Sequence, residues 1–106
     1  MFSVITAVAE EKFGVKVYRG AKYDAAVSKN VSETLSINAA CYRTNDSVAK
    51  VAEFYKKQPS MKYTGGEKVS AGFSNGVVDV TIQNPWINMI TGKMMTDTLI
   101  TIVKQE

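Results

Sequence analysis

Residues 75–84 have the sequence Asn-Gly-Val-Val-Asp-Val-Thr-Ile-Gln-Asn, which carries two strong signals of an antiparallel sheet. Asn75-Gly76 tolerates the positive φ angles of a tight hairpin turn of type I′. After this turn, apolar residues at 78, 80 and 82 alternate with polar residues at 79, 81 and 83. Such alternation is typical of a strand with one buried and one solvated face. The stretch therefore predicts a hairpin within an antiparallel sheet.

Further strand signals lie on both sides of this hairpin. They are segments of alternating or β-branched sequence at Val15–Tyr18, Ser36–Arg43, Met61–Thr64, Lys68–Phe73 and Thr98–Lys104. Gly65-Gly66 stands between two of them and is interpreted as a turn, because it lacks the Lys-Ser/Thr partner of a phosphate loop.

Two helices are predicted between the strands. The polar run 44–47 can cap a helix, and Val48, Val51, Ala52 and Tyr55 then recur on one helical face before Pro59 ends it. A shorter helix can follow Asp24, with an apolar stripe at residues 27, 31 and 35. The element order predicts an α+β fold: a mainly antiparallel sheet of about five or six strands with one or two helices packed on one face.

The N-terminal residues suggest export. With 106 residues the chain has the length of a single domain, which we assign to residues 10–106. Residues 1–9 carry no charge and end in Ala7-Val8-Ala9, the small-x-small pattern of a signal-peptidase site. They are interpreted as the remnant of a signal peptide from a longer precursor or, alternatively, as an N-terminal helix. The first reading predicts a periplasmic or secreted protein.

Charge and hydropathy argue against a nucleic-acid partner and against a membrane-spanning segment. The net charge is +3, but the cations are spread along the chain and only Lys56 and Lys57 are adjacent. Nucleic-acid binding requires clustered cations, so no nucleic-acid partner is predicted. No apolar run approaches the roughly 20 residues of a membrane-spanning helix, so no transmembrane segment is predicted.

The residue types argue against catalysis. The chain has no histidine, which removes the commonest general base and metal ligand. Its one cysteine, Cys41, forms no intrachain disulfide and lies in a predicted strand, where a buried structural thiol is expected. An enzyme is therefore not favoured, and no cofactor is predicted. A small hydrolase remains an alternative through carboxylates at Asp24, Glu33, Asp46, Glu53, Asp79 and Asp97.

The candidate site lies in the connection 85–97, Pro-Trp-Ile-Asn-Met-Ile-Thr-Gly-Lys-Met-Met-Thr-Asp. A connection of this length inside a compact domain is uncommon and often functional. It holds the only tryptophan and several aliphatic and methionine residues, which are enriched in protein-recognition surfaces. The predicted partner-binding residues are Trp86, Ile87, Met89, Met94 and Met95.

Two alternatives are open for this segment. Its apolar residues could instead form a lid over one end of the core. Met89, Met94 and Met95 could also bind copper(I), since thioether sulfur is a soft ligand. The favoured prediction is a binding module for another protein or for copies of itself.

Three segments resemble a group of small exported bacterial proteins of unassigned function. The segments are Tyr18-Arg19-Gly20-Ala21-Lys22-Tyr23-Asp24, Tyr42-Arg43-Thr44-Asn45-Asp46-Ser47-Val48 and Val51-Ala52-Glu53-Phe54-Tyr55-Lys56-Lys57. They are similar to that group's turn, helix cap and helix face, although Arg19 stands where the group usually has proline. The resemblance implies export and an α+β fold, and it implies no activity.

Overall fold

The structure, a computed structural model, describes residues 10–105, with the backbone alone for Glu67. The elements follow in the order β1 (Glu11–Lys12), β2 (Val15–Lys16), β3 (Lys22–Tyr23), α1 (Ala25–Leu35), β4 (Asn38–Thr44), α2 (Val48–Lys56), β5 (Lys62–Glu67), β6 (Ser70–Ser74), β7 (Val78–Gln83), β8 (Trp86–Asn88), β9 (Lys93–Met95) and β10 (Thr98–Lys104). The predictions for residues 1–9 lie outside the described residues.

The α+β prediction is confirmed. Six strands form one sheet in the order β3-β4-β10-β7-β6-β5, and each neighbouring pair is antiparallel. The pairs β1–β2 and β8–β9 form two small separate hairpins. Within residues 10–105, neither helix is long and apolar enough to cross a membrane.

Helix α2 closes one face of the sheet. The Ser47 hydroxyl accepts the backbone N–H of Lys50 at 3.1 Å, which caps the first turn as the sequence predicts. The predicted apolar stripe, residues 48, 51, 52 and 55, is buried against even-numbered residues of β4, β7 and β10 and odd-numbered residues of β6. We call this side the closed face; its largest buried side chains are Tyr42, Tyr55, Phe73, Ile82, Ile100 and Ile102.

Helix α1 lies along the part of β4 that the two-residue strand β3 does not pair with. The Ser28 hydroxyl accepts the N–H of Cys41 at 2.7 Å, and the Ser32 hydroxyl accepts the N–H of Ala39 at 3.1 Å. These two serines are weak helix formers, but here they satisfy backbone groups of β4 that have no strand partner. These bonds explain why polar residues face β4 on this helix.

The two helices do not share one face of the sheet. Val27 of α1 packs with Cys41 and Leu99, whereas Tyr42 and Ile100, the next residues along the same strands, pack with α2. Successive side chains of a strand point to opposite faces. The expectation of helices on one face therefore fits α2, and α1 belongs to the other face, which we call the open face.

The glycine pair 65–66 continues a strand and does not end one, contrary to the sequence interpretation. Strand β5 runs through both residues, with an irregularity between Tyr63 and Gly65, and the turn lies at residues 68–69. Gly66 has φ 98°, and a Cβ at this position would lie 2.3 Å from the carbonyl oxygen of Ser70. Glycine is required here by close contact between neighbouring strands.

The hairpin at residues 75–77 is present, but its turn is not of type I′. Gly76 has a positive φ of 92°, whereas Asn75 does not share this conformation. Instead, the Asn75 side-chain oxygen accepts the backbone N–H groups of Val77 and Val78, at 2.9 and 2.7 Å. This local bonding by asparagine competes with the type I′ geometry.

Candidate binding groove

The segment predicted as a long connection folds into the hairpin β8–β9. Ile87 pairs with Met94, and Trp86 pairs with Met95, across the two strands. Asn88 supports the turn, because its side-chain oxygen accepts the N–H of Ile90 at 3.0 Å and its carbonyl accepts the N–H of Gly92 at 2.7 Å. The strands are only three residues long, so local alternation was too short to predict them.

A groove of about 610 Å³ lies on the open face between α1 and the β8–β9 hairpin. One wall consists of Val31, Leu35 and Ile37, from α1 and the residues after it. The opposite wall consists of Pro85, Trp86, Ile87 and Met94. The floor consists of Thr81, Gln83, Leu99, Thr101 and Val103, from β7 and β10. None of these twelve residues is charged, in a chain with 13 Lys and Arg and 10 Asp and Glu residues.

Both rims of the groove expose apolar side chains. Leu35 is 61% exposed on one side, and Ile87 and Met94 are 55% and 57% exposed on the other. Met89 and Ile90, at the hairpin turn, extend this exposed apolar surface. Large exposed apolar patches on soluble domains commonly mark interaction sites.

The five predicted partner-binding residues separate into two groups. Ile87, Met89 and Met94 are exposed, and Ile87 and Met94 line the groove. Trp86 is buried at 4% exposure and Met95 is half-buried against the cluster of Val27, Cys41 and Leu99. Trp86 thus supports the groove wall, whereas Ile87 and Met94 form its accessible surface.

The arrangement of the methionines disfavours a three-ligand copper(I) site. Met94 and Met95 are adjacent in β9, so their side chains point to opposite faces of the hairpin. Met94 faces the groove, and Met95 packs against the core. Among residues 10–105, no group of three or more Asp, Glu, Cys or His residues is placed to hold a metal ion.

An ion-pair network holds Trp86 and the groove wall in place. The Trp86 indole N–H donates to Oδ1 of Asp97 at 3.0 Å, and Oδ2 of Asp97 accepts from Nε of Arg43 at 2.7 Å. The Arg43 guanidinium also reaches Asp24 at 3.3 Å and lies 5.1 Å from the centre of the Trp86 ring. The hydrogen bond to Asp97 is the main cause that raises the pKa of Arg43. Asp24 also caps α1, so the network joins the two walls of the groove.

A polar cleft of about 410 Å³ lies beside this network. It is lined by Arg19, Gly20, Lys22, Arg43, Thr44, Asn45, Asp46 and Asp97. The groove and the cleft are neighbours. Trp86 and Leu99 line the groove, and Arg43 lines the cleft. Arg43 pairs with Leu99 across the strands and lies over the Trp86 ring.

The two carboxylates of the polar cleft are engaged by structural donors. Both oxygens of Asp97 accept the bonds described above. Oδ2 of Asp46 accepts the hydroxyl of Tyr18 at 2.5 Å, and Oδ1 lies 3.9 Å from the Lys50 ammonium. A pair of carboxylates for hydrolysis needs one free base and one free acid. The cleft therefore brings together two of the six predicted carboxylates, and each of them is bonded or paired through both of its oxygens.

Cys41 is a buried structural thiol, as the sequence predicts. It is inaccessible to solvent and packs with Val27, Trp86 and Leu99 beneath α1. Burial is the main cause that raises its pKa. A raised pKa and burial both disfavour the nucleophilic thiolate.

Sequence reasoning missed one wall, the floor and the ion-pair network. The sequence predicts Leu35 on the apolar stripe of α1, but its exposure depends on where α1 packs. The floor alternates along β10, with Leu99, Thr101 and Val103 on the open face, and this pattern was available in the sequence. Arg43 and Asp97 are 54 residues apart, and no local signal connects them.

No family model matches the chain, and no similar protein is found among curated proteins or among solved structures.

Proposed function

We propose that this chain is a binding domain whose uncharged groove takes an apolar, uncharged segment of a partner protein. The observation that carries the proposal is the groove itself: twelve uncharged residues between two rims that expose Leu35, Ile87 and Met94. Burial of these side chains by a partner would release about 25 cal/mol per Å² of apolar surface. A charged segment would lose its hydration there without gaining an ion pair.

The floor of the groove favours a peptide over a hydrocarbon chain. Thr81, Gln83 and Thr101 place hydroxyl and amide groups among the apolar side chains. A peptide brings backbone N–H and C=O groups that need hydrogen-bond partners, and these side chains can provide them. A hydrocarbon chain would bury the Thr81 hydroxyl and the Gln83 amide without partners, at a cost, whereas the Thr101 hydroxyl already accepts the Cys41 thiol.

The experiment is a selection from a displayed random-peptide library against the immobilised protein. We expect enriched peptides to share an uncharged apolar run, and Met94→Lys to weaken their binding at least about tenfold because it buries a charge in the groove. The matched control is Val77→Lys, since Val77 is 56% exposed but lies at the β6–β7 turn and does not line the groove.

Three results would contradict the proposal. The first is peptide binding that Met94→Lys and Val77→Lys weaken equally. The second is saturable binding of dodecyl maltoside below its micelle concentration with no peptide enriched, which would assign the groove to a hydrocarbon. The third is self-association in sedimentation experiments that Met94→Lys abolishes, which would make a second copy the occupant.

Export to the periplasm or the exterior is part of the same proposal, and the cleavage pattern before Glu10 supports it. The Glu10 carboxylate accepts the Tyr42 hydroxyl at 3.0 Å, and the Glu10 carbonyl accepts the N–H of Val17 at 2.7 Å. Glu10 is thus bonded to the folded domain. We expect N-terminal sequencing of the protein that a bacterial host exports from the full-length precursor to begin at Glu10; recovery of the precursor from the cytoplasm with residues 1–9 intact would contradict this.

A further inference from the structure

The polar cleft contains an unfavourable arrangement of cations. Lys22 of β3 and Arg43 of β4 are direct cross-strand partners, so their side chains project from the same face of the sheet. Like charges placed directly opposite one another destabilise a sheet. Arg43 is compensated by Asp24 and Asp97, whereas Lys22 makes no ion pair with any residue in the described part of the chain.

A second cation reaches the same cleft from the β2–β3 connection. Arg19 is exposed and lines the cleft, and it too has no ion-pair partner within residues 10–105. The cleft carboxylates, Asp46 and Asp97, are already paired with other groups. The cleft therefore presents two uncompensated cations beside an occupied pair of acids.

The cleft and the groove lie along one row of the sheet. Lys22 pairs with Arg43, Arg43 with Leu99, and Leu99 with Gln83, so all four side chains project from the open face. Adjacent strands are about 4.8 Å apart, which places β3 about 10 Å from β10 at the groove floor. About three residues of extended peptide span this distance.

From this row we infer that the peptide whose uncharged apolar run occupies the groove carries a carboxylate about three residues beyond that run, and that Arg19 and Lys22 bind this carboxylate in the polar cleft. The inference rests on the proposed function and defines the partner further: an apolar stretch flanked on one side by Asp, Glu or a free C-terminus. A single negative charge fits best, because the cleft lining holds three cations (Arg19, Lys22 and Arg43) and two carboxylates (Asp46 and Asp97), which leaves one positive charge to neutralise. The interaction would weaken as ionic strength rises, since both cations are exposed.

The test repeats the peptide selection on the variant Arg19→Gln/Lys22→Gln, with Lys29→Gln as the control on the exposed side of α1. Wild type and control should enrich peptides with an acidic residue on one side of the apolar run. The double variant should keep the apolar run and lose the acidic preference. For one selected peptide, replacement of its acidic residue by the amide should weaken binding roughly tenfold in wild type and not in the double variant.

A titration with acetate at constant ionic strength tests the cleft without a peptide. Backbone amide resonances of residues 19–22 and 44–46 should shift in a saturable way in wild type and not in the double variant, and inorganic phosphate should bind no more tightly than acetate. Lys22→Gln should not lower stability, because it removes the like-charge contact with Arg43.

Apolar enrichment with no acidic preference, or an acidic preference that survives in the double variant, would overturn the carboxylate inference and leave the groove proposal standing. Absence of both enrichments would overturn the groove proposal, and a saturable acetate shift would then show that the cleft binds carboxylates by itself. Absence of an acetate shift overturns the cleft as a carboxylate site.

Discussion

The two faces of the six-stranded sheet are built differently, although they share the same strands. On the closed face, α2 packs over aromatic and β-branched side chains that are almost fully buried. On the open face, α1 and the β8–β9 hairpin lie on either side of the groove and leave β7 and β10 accessible between them. Stability therefore comes mainly from the closed face, whereas the open face leaves an uncharged groove accessible to solvent.

The largest expected difference between the faces is in the free energy of unfolding. Phe73→Ala should lower it by about 4 kcal/mol, because Phe73 is 1% exposed and its removal leaves a cavity beside Tyr55. The matched change on the open face, Ile87→Ala, should cost less than about 1 kcal/mol, because Ile87 is more than half exposed. Urea unfolding of both variants measures the difference, and equal losses would contradict the division between the faces.

The ion-pair network is the part of the open face that should contribute most to stability. Asp97→Asn should lower the free energy of unfolding by about 2 kcal/mol, since it leaves the partly buried Arg43 with Asp24 alone. The control is Asp79→Asn, whose carboxylate accepts an exposed bond from Gln105 and should contribute less than about 0.5 kcal/mol. A loss at Asp97 no larger than at Asp79 would show that the network does not hold the groove wall.

These two faces also differ in how far the sequence predicts them. The caps and the 3.6-residue period of α2 are local, and the alternation of β7 is local, so the closed face follows directly from the chain. The groove depends on contacts between distant residues, because Trp86 is buried with Val27, Cys41 and Leu99. Its indole N–H also donates to Asp97, which is bonded to Arg43. Its burial could not be deduced from residues 85–97 alone, where tryptophan beside methionines resembles an exposed recognition surface.

The Tyr18–Asp46 bond links the polar cleft to the core and should appear in the pH dependence of stability. Burial and the hydrogen bond to Asp46 raise the pKa of Tyr18 from 10.0 to about 12. The folded state therefore holds this proton more tightly, so the contribution is full below pH 10 and is lost as the pH rises from about 10 to about 12.

Tyr18→Phe should accordingly cost about 1 kcal/mol at pH 7 and progressively less between pH 10 and 12, as measured by urea unfolding across this range. The comparison variant is Tyr42→Phe, whose cost should depend on pH in the same way. The pKa of Tyr42 is also raised to about 12, by burial and the bond to Glu10. A loss for Tyr18→Phe that stays constant across this pH range would contradict the assigned bond.

The smallest expected effect on stability belongs to the groove rim. Met94→Lys and Val77→Lys should each change the free energy of unfolding by less than about 0.5 kcal/mol, because both side chains are more than half exposed. Their stability should be alike while their peptide affinities differ, and this separation distinguishes a binding residue from a core residue. A large destabilisation by Met94→Lys would place Met94 in the core instead.

The most direct test of the open face as the binding surface is carbon-13 methyl NMR of the methionines during titration with a selected peptide. Met94 lines the groove on the open face, whereas Met61 is 7% exposed in the core of the closed face. We predict a saturable shift of the Met94 methyl resonance with no change at Met61. Peptide binding that shifts Met61 and leaves Met94 unchanged would contradict the assignment of the open face as the binding surface.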